Sequence, residues 1–286
     1  MTEEKSANAR EKLFKYPEGF LDEDLPKGRM SPSSFNTYRR CPKQYYYAYI
    51  EELKRPPGIA MFKGTMVHYG AEVIHKNTIA TSTLMPLEEA NAKVSDKFEE
   101  DKKEIKDWEG FQQGIVKDTI LTSLKVYYTF GVPGMRPKAA EEPFMVKIGD
   151  VPMVGVLDLI DQVPGDYEVG DDPDKPPPLV EELADMKNTG KLWPDQKLFF
   201  EPQFTIYAIA RNTNRVRADF LIDQKAGVKY VPKRALRSVK EKQIITEDIM
   251  EVAELIKQGA FPRCDPTGWN CTPKFCGFCE KCRGGF

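Results

Sequence analysis

Residues 155–161 read GVLDLID and residues 183–191 read LADMKNTGK. Both are short β-rich runs, and side chains along a strand alternate between its two faces. Asp185 and Lys187 therefore project from the same face, and Asp158 on a neighbouring strand can meet them. Two carboxylates and an amine at one point suit Mg2+ or Mn2+, hard cations that prefer oxygen ligands. Such a cation can activate water and stabilise charge on a phosphoryl oxygen, with a lysine adding positive charge beside it. The alternative is that the acids are strand-end residues and Lys187 is a solvated lysine.

Working outward, residues 143–148, 153–160, 179–187, 216–222 and 227–231 read as strands bounded by Gly, Pro and Asp. Residues 62–79, 86–106, 111–130, 195–212 and 246–258 have helical spacing, the last with Thr246 as its expected cap. Between two of the strands lies an acidic, proline-heavy loop, PGDYEVGDDPDKPPP, at 164–178. Ser31 is a good N-cap and Pro32 suits the first helical turn, so the fold is expected to begin there, after a polar surface arm over residues 1–30. Pro42 breaks the next stretch into two short helices meeting at Cys41. The expected architecture is α/β: a mixed sheet flanked by helices, with a helical N-terminal region and a cysteine-rich C-terminal tail. Residues 31–286 are read as a single domain.

The chain has 286 residues, 41% of them hydrophobic and 30% charged, with 44 acidic against 42 basic residues for a net charge of −2. That balance excludes a histone-like basic coat and leaves room only for a local basic patch. No signal-like or membrane-spanning apolar run is apparent, so a cytoplasmic protein with no membrane partner is expected. A chain of this length needs no disulfide staples, so its six cysteines call for another role, most simply as metal ligands in a reducing compartment. Cys271, Cys276, Cys279 and Cys282 crowd into the tail segment CTPKFCGFCEKC, which has no secondary-structure period. A zinc site closed within the tail and an iron-sulfur cluster with a distant fourth ligand both remain open; Cys41 is the candidate for that ligand.

His68, in GTMVHYGAE, can offer a nitrogen to a metal or be a hydrogen-bonded core residue. Gln203 and Tyr207 share one helix face just after the Asp-x-Lys strand, where packing and capping are the simplest roles. Seven basic residues between Lys225 and Lys242 read either as a strip that tracks phosphates or as a solvated face. Tyr45, Tyr46 and Tyr47, with Arg39, Arg40 and Lys43, can stack on a nucleic-acid strand or be core.

Taken in order, SPSSFNTYRRCPKQYYYAYI, GTMVHYGAE, GVLDLID, DMKNTGK, QFTIYA and WNCTPKFCGFCEKC resemble the motifs of RecB-like PD-(D/E)xK nucleases that carry an iron-sulfur cluster. That family includes the nuclease domain of AddB, CRISPR-associated exonucleases and phage or prophage exonucleases. The resemblance runs from about residue 31 to the end. It implies a restriction-endonuclease-like core and a metal-dependent DNA exonuclease of phage or bacterial recombination, repair or end processing. A recombination or single-strand annealing protein would be its partner, and DNA ends, single-stranded or duplex, its substrate. It also implies metal ligation by His68, Asp158 and Asp185, catalysis by Lys187, and a motif role for Gln203 and Tyr207. The 4Fe-4S cluster would be held by Cys41, Cys271, Cys276 and Cys282, with Cys279 as an extra thiol and Cys264 outside the pattern. A non-catalytic DNA-binding or assembly subunit and a CRISPR adaptation nuclease are the alternatives.

Overall fold

The computed structural model describes residues 13–54, 57–166, 175–273 and 275–284; half of the acidic loop, residues 167–174, lies outside them. Five strands form one sheet in sequence order: β1 Pro137–Ile148, β2 Val151–Pro164, β3 Leu179–Thr189, β4 Arg215–Gln224 and β5 Gly227–Leu236. β3 and β4 run parallel and the other neighbours antiparallel, so the sheet is mixed, as the sequence predicts. The strands extend past the expected runs because their ends carry charged residues that a hydrophobic pattern does not register.

Helices cover both faces of the sheet. One face receives α1 Pro32–Arg40, α7 Pro202–Ala210 and α8 Val239–Lys257, whose Phe35, Tyr38, Phe204, Ile249 and Val252 pack on Leu183, Val216 and Phe220. The other receives α3 Ile59–Thr81, α4 Leu87–Asp101 and α5 Gln113–Phe130, with Met66, Ile74, Val94, Ile120 and Leu124 over Met186 and Leu221. Opposite faces of β3 thus belong to two separate apolar clusters, as strand alternation requires. This is the restriction-endonuclease-like arrangement, with the cysteine-rich segment following α8.

Three elements differ from expectation. The stretch 195–212 divides into α6 Asp195–Phe200 and α7 at Glu201–Pro202, because Pro202 has no N–H to continue a helix. α8 begins at Ser238, not Thr246: the Ser238 hydroxyl accepts from the Glu241 N–H at 3.1 Å while the Glu241 carboxylate accepts from the Ser238 N–H at 2.7 Å. That reciprocal cap lies inside the basic run, where charge masked it. The expected surface arm is packed from Leu25 onward, since Leu25 and Met30 are buried; Met30 N–H donates to Pro152 O and Val154 N–H donates to Met30 O, at 2.9 and 3.0 Å. The joint at Cys41 is as expected: α1 ends at Arg40, Cys41 is extended (φ −163°, ψ 107°), and α2 starts at Pro42 (Pro42–Tyr45) before one π-turn over Tyr46–Ile50.

The interior of α3 holds a second histidine, His75, 2% exposed, with its Nε2 2.7 Å from the Tyr127 hydroxyl. Burial pushes its imidazole down from 6.5 to about 4, with Asp161 opposing the shift only partly. Below pH 6.5 the unfolded chain takes up a proton that the folded chain refuses. The contribution of His75 is therefore intact above pH 6.5 and lost as pH falls from 6.5 towards 4. Thermal midpoints measured across that window should fall, and His75→Gln should fall less steeply than the wild type.

Candidate active site

β2 and β3 pair only from Leu159↔Ala184 to Pro164↔Leu179. Beyond that point they part, and the first residues past the split are Asp158 on one strand and Asp185 on the other. The Met186 N–H, released from the ladder, donates to Asp158 Oδ2 at 3.1 Å, so the carboxylate supplies the partner that a strand would have given. Asp185 and Lys187 project towards α7, as alternation predicts, and Lys187 Nζ lies 2.6 Å from Asp185 Oδ2. His68 reaches in from α3, its Nδ1 3.1 Å from Asp158 Oδ2. All four residues meet at the parting of two strands.

α7 fixes the orientation of the pair on β3. Gln203 Nε2 donates to Asp185 Oδ1 at 2.7 Å and its Oε1 accepts from Lys187 Nζ at 3.0 Å. The same Nε2 lies 2.6 Å from the Tyr207 hydroxyl, which donates to Val156 O at 3.2 Å. Gln203 and Tyr207 thus hold the acid and the lysine in register, a more specific task than packing or capping.

Electrostatically, the site pairs two acids with two bases. Burial would push His68 down, but its ion pair and hydrogen bond with Asp158 hold it up at about 9. Burial likewise opposes charge on Lys187, yet Asp185 at 2.6 Å keeps the ammonium above its usual value. For Asp185 burial dominates and pushes the carboxyl up to about 6 despite Lys187. Asp158 stays below its ordinary value, because His68, Lys187 and the Met186 N–H together outweigh its burial. Two crowded carboxylates that protonate one base and hold another protonated form a donor set suited to a divalent cation.

One further acid was missed in the sequence. Glu141 lies across from Asp158 in the β1–β2 register, between the pairs Ala140↔Leu159 and Glu142↔Leu157. A carboxylate oxygen of Glu141, a nitrogen of His68 and an oxygen of Asp158 lie within 4.8 Å of one another, the one such set of three among the described residues. Glu141 has φ +52°, a left-handed conformation that is strained for a residue with a side chain and is held where surrounding structure demands it. Starting β1 at Pro143 hid it; two more residues of alternation would have placed Glu141 opposite Asp158.

The sulfurs come together elsewhere. All six cysteines line a single hollow beside Tyr47, Arg263, Phe278 and Arg283, and none is in a disulfide. Cys41, Cys271 and Cys279 are buried. Cys264, outside the expected set, lies within hydrogen-bonding reach of Cys41 and Cys271, whereas the Cys279 thiol donates to Cys271 O at 4.0 Å. No three sulfurs among the described residues lie within 4.8 Å of one another.

The basic run is put to other uses. Arg237 is buried and donates to Phe199 O and Leu198 O, both at 2.7 Å. Arg234 donates to Glu182 at 3.0 Å, Lys233 to Trp193 O at 3.1 Å, and Lys242 to Thr213 O at 2.9 Å. Lys225, Lys229, Arg234 and Lys240 remain exposed, Arg234 while still paired with Glu182, so the run both secures the β4–β5 side of the fold and leaves positive charge on its surface. Tyr45 and Tyr47 are buried; with Tyr46 they pack on Phe261 and Phe278, as core residues do.

Comparison with known proteins agrees with this geometry. The family model described as "PD-(D/E)XK nuclease superfamily" matches residues 29–283. The chain belongs to that superfamily. Its nucleases use divalent metals, and the acids at the strand split provide a candidate metal site. A crystal structure from Eubacterium rectale named "Putative exonuclease" is similar over 94% of both chains, with TM-score 0.50 and 12% identity, a likeness of fold. The structure of SSO0001 aligns over 79% of this chain and 99% of its own, at TM-score 0.35 and 11% identity. No curated protein matches the chain. Among the described residues, no helix is long and apolar enough to cross a membrane.

Glu141 can be tested apart from folding. Glu141→Gly removes the carboxylate and also relieves the positive φ, so the thermal midpoint should change little. Mn2+ affinity by isothermal titration should drop about tenfold, the scale of one lost charged ligand interaction. Unchanged Mn2+ affinity would remove Glu141 from the metal site.

Proposed function

We propose that this chain is a metal-dependent deoxyribonuclease of the RecB-like branch, acting on DNA ends as an exonuclease. The observation that carries the reading is the convergence of His68, Asp158, Asp185 and Lys187 at the β2–β3 split, with Gln203 tying Asp185 to Lys187. His68, Asp158 and Asp185 would hold Mg2+ or Mn2+, with Glu141 beside them. Such a cation neutralises phosphate charge and lowers the pKa of a water. Lys187, beside Asp185 and held by Gln203, would set its charge against the scissile phosphate and orient or help deprotonate the attacking water. Gln203 keeps that ammonium from collapsing wholly onto Asp185 by accepting one of its hydrogen bonds. An intact set of this kind favours an enzyme over a non-catalytic DNA-binding subunit.

The sulfur-lined hollow supports a second cofactor, a 4Fe-4S cluster on Cys41, Cys271, Cys276 and Cys282. Sulfurs gathered around one hollow, yet with no three within 4.8 Å, suit a multi-iron group better than a single tetrahedral zinc. Its role would be structural, coupling the tail to the N-terminal helices. Biologically, we place the enzyme in phage or bacterial recombination, repair or end processing, alongside a recombination or single-strand annealing protein, in the cytoplasm of the cell or infected host.

The test of activity is digestion of end-labelled single-stranded, duplex and circular DNA with Mg2+ or Mn2+. Linear DNA should be shortened from its ends in at least one of the single-stranded and duplex forms while circles are spared, and Asp158→Ala, Asp185→Ala and Lys187→Ala should each slow cleavage at least about a hundredfold. Wild-type rates from any of the three would sink the assignment. The cofactor has its own readout: protein purified without oxygen should be brown. Ser variants of Cys41, Cys271, Cys276 or Cys282 should lose iron and visible absorbance, while those of Cys264 or Cys279 should keep them. A colourless, zinc-containing protein would overturn the cluster.

A further inference from the structure

The connection from β3 to α7 passes Trp193 and ends in two aromatic residues that the core does not cover. Phe199 is 42% exposed and Phe200 62%, their ring centroids 5.0 Å apart and nearly perpendicular. Exposed rings on a floppy loop would be unremarkable, but this backbone is pinned. α6 is anchored from below by buried Leu198, and Arg237, 1% exposed, donates both of its terminal nitrogens to the carbonyls of Leu198 and Phe199. A buried guanidinium thus holds the segment rigid while the rings face solvent, the arrangement expected where a surface must be presented in a fixed pose. Two exposed apolar neighbours, Leu236 and Val239, flank Arg237 in sequence.

Position relates these rings to the candidate active site. Phe200 immediately precedes Glu201, whose carboxylate acts on Lys187 and accepts from Asn36 Nδ2 at 2.8 Å. Lys187 Nζ lies 5.7 Å from the Trp193 ring centroid and 5.8 Å from that of Phe204; the Arg237 guanidinium lies 6.0 Å from both Phe204 and Phe199. Two lysines border the same strip, Lys197 over the Trp193 ring at 3.8 Å and exposed Lys191, while Lys233 is taken up by Trp193 O and the Asp195 carboxylate. Aromatic faces interleaved with lysines, next to a phosphodiester-cleaving constellation, are the chemistry that grips an unpaired strand: charge follows the phosphates and bases stack on the rings. Bases inside a duplex are already stacked on each other and have no free face to offer.

We propose that Phe200, with Phe199 beside it, is a stacking platform for unpaired bases of a DNA strand entering the His68, Asp158, Asp185 and Lys187 site, so that the chain engages single-stranded rather than fully duplex DNA. This rests on the nuclease reading and specifies its substrate. A second copy of this chain, or another protein, is the competing occupant.

The experiment is equilibrium binding of the full chain, with Ca2+ replacing Mg2+ or Mn2+ to hold cleavage, to an end-labelled single strand and to its blunt duplex, read by fluorescence anisotropy. Phe200→Ala should bind the single strand about tenfold more weakly, Phe200→Trp should restore binding, and duplex affinity, thermal midpoint and solution mass should stay as in the wild type. A strand carrying 2-aminopurine should be quenched by the wild type at one or two positions and by Phe200→Ala at none. The platform is overturned if Phe200→Ala binds the single strand like the wild type, if it loses strand and duplex equally, or if its solution mass changes, which would assign the patch to a protein contact. Wild-type protein that binds neither DNA overturns the nuclease reading as well; wild-type protein that binds while Phe200→Ala is indifferent overturns the platform alone.

Discussion

The site depends on a single backbone event, the separation of β2 from β3 after Leu159 and Ala184. In a continuous ladder Asp158 and Asp185 would stand on adjacent strands with their neighbouring amides paired to each other. Parting the strands frees one amide, Met186 N–H, to grip Asp158, and opens a wedge into which His68 enters from the α3 side and Gln203 from the α7 side. The edge that β3 gives up on β2 is not left bare: Met30 pairs there with Pro152 and Val154. A segment that looked like a surface arm therefore satisfies the backbone that the split leaves behind, which is why it must pack.

What holds the two strands together on the other side of the split is a buried charge network. Arg217 of β4 donates to Asp161 of β2 at 2.8 Å, to Glu182 of β3 at 2.6 Å and to Asp219 of its own strand at 3.0 Å; Tyr230 and Arg234 of β5 complete it through Asp219 and Glu182. Burial disfavours the Arg217 charge, but three carboxylates hold it on. Networks of this kind add little stability compared with an apolar core, yet losing one partner strands a buried charge at roughly 3–5 kcal/mol. Its geometric effect is a clamp across three strands just below the point where two of them separate, so the split stays at Asp158 and Asp185 instead of unzipping further.

Much of this was legible in the sequence. The alternation in DMKNTGK put Asp185 and Lys187 on one face, the four-residue spacing put Gln203 and Tyr207 on another, and Pro42 marked the joint at Cys41. What escaped did so for physical reasons. Glu141 depends on how far β1 runs ahead of Pro143 and on a positive φ, and a one-dimensional pattern does not contain the second. The Ser238 cap is hidden because SVKE is also part of a basic run, whose charge masks the capping pattern. The fate of that run was unreadable for the same reason: a buried arginine such as Arg237 and a phosphate-binding one have the same letter, and only its carbonyl partners distinguish them. Cys264, only seven residues before the first of the crowded tail cysteines, is brought against Cys41 by the return of the chain after α8.

That return gives the cysteine-lined hollow a physical line to the active site. Tyr38 OH donates to Ala260 O at 2.5 Å, Lys43 N–H to Pro262 O at 3.1 Å, and Asn270 Nδ2 to Arg40 O at 3.2 Å; Lys281 pairs with Glu51. The tail is thus sewn along α1 and the helical turns after it. α1 in turn carries Asn36, which holds Glu201, and Glu201 stands at the N-cap position of the helix bearing Gln203. The links as far as Glu201 are directional hydrogen bonds, and Glu201 leads along the backbone into the helix whose Gln203 joins Asp185 to Lys187. The cysteine-lined hollow and the helix that frames the acids are thus two ends of one continuous path of contacts through α1.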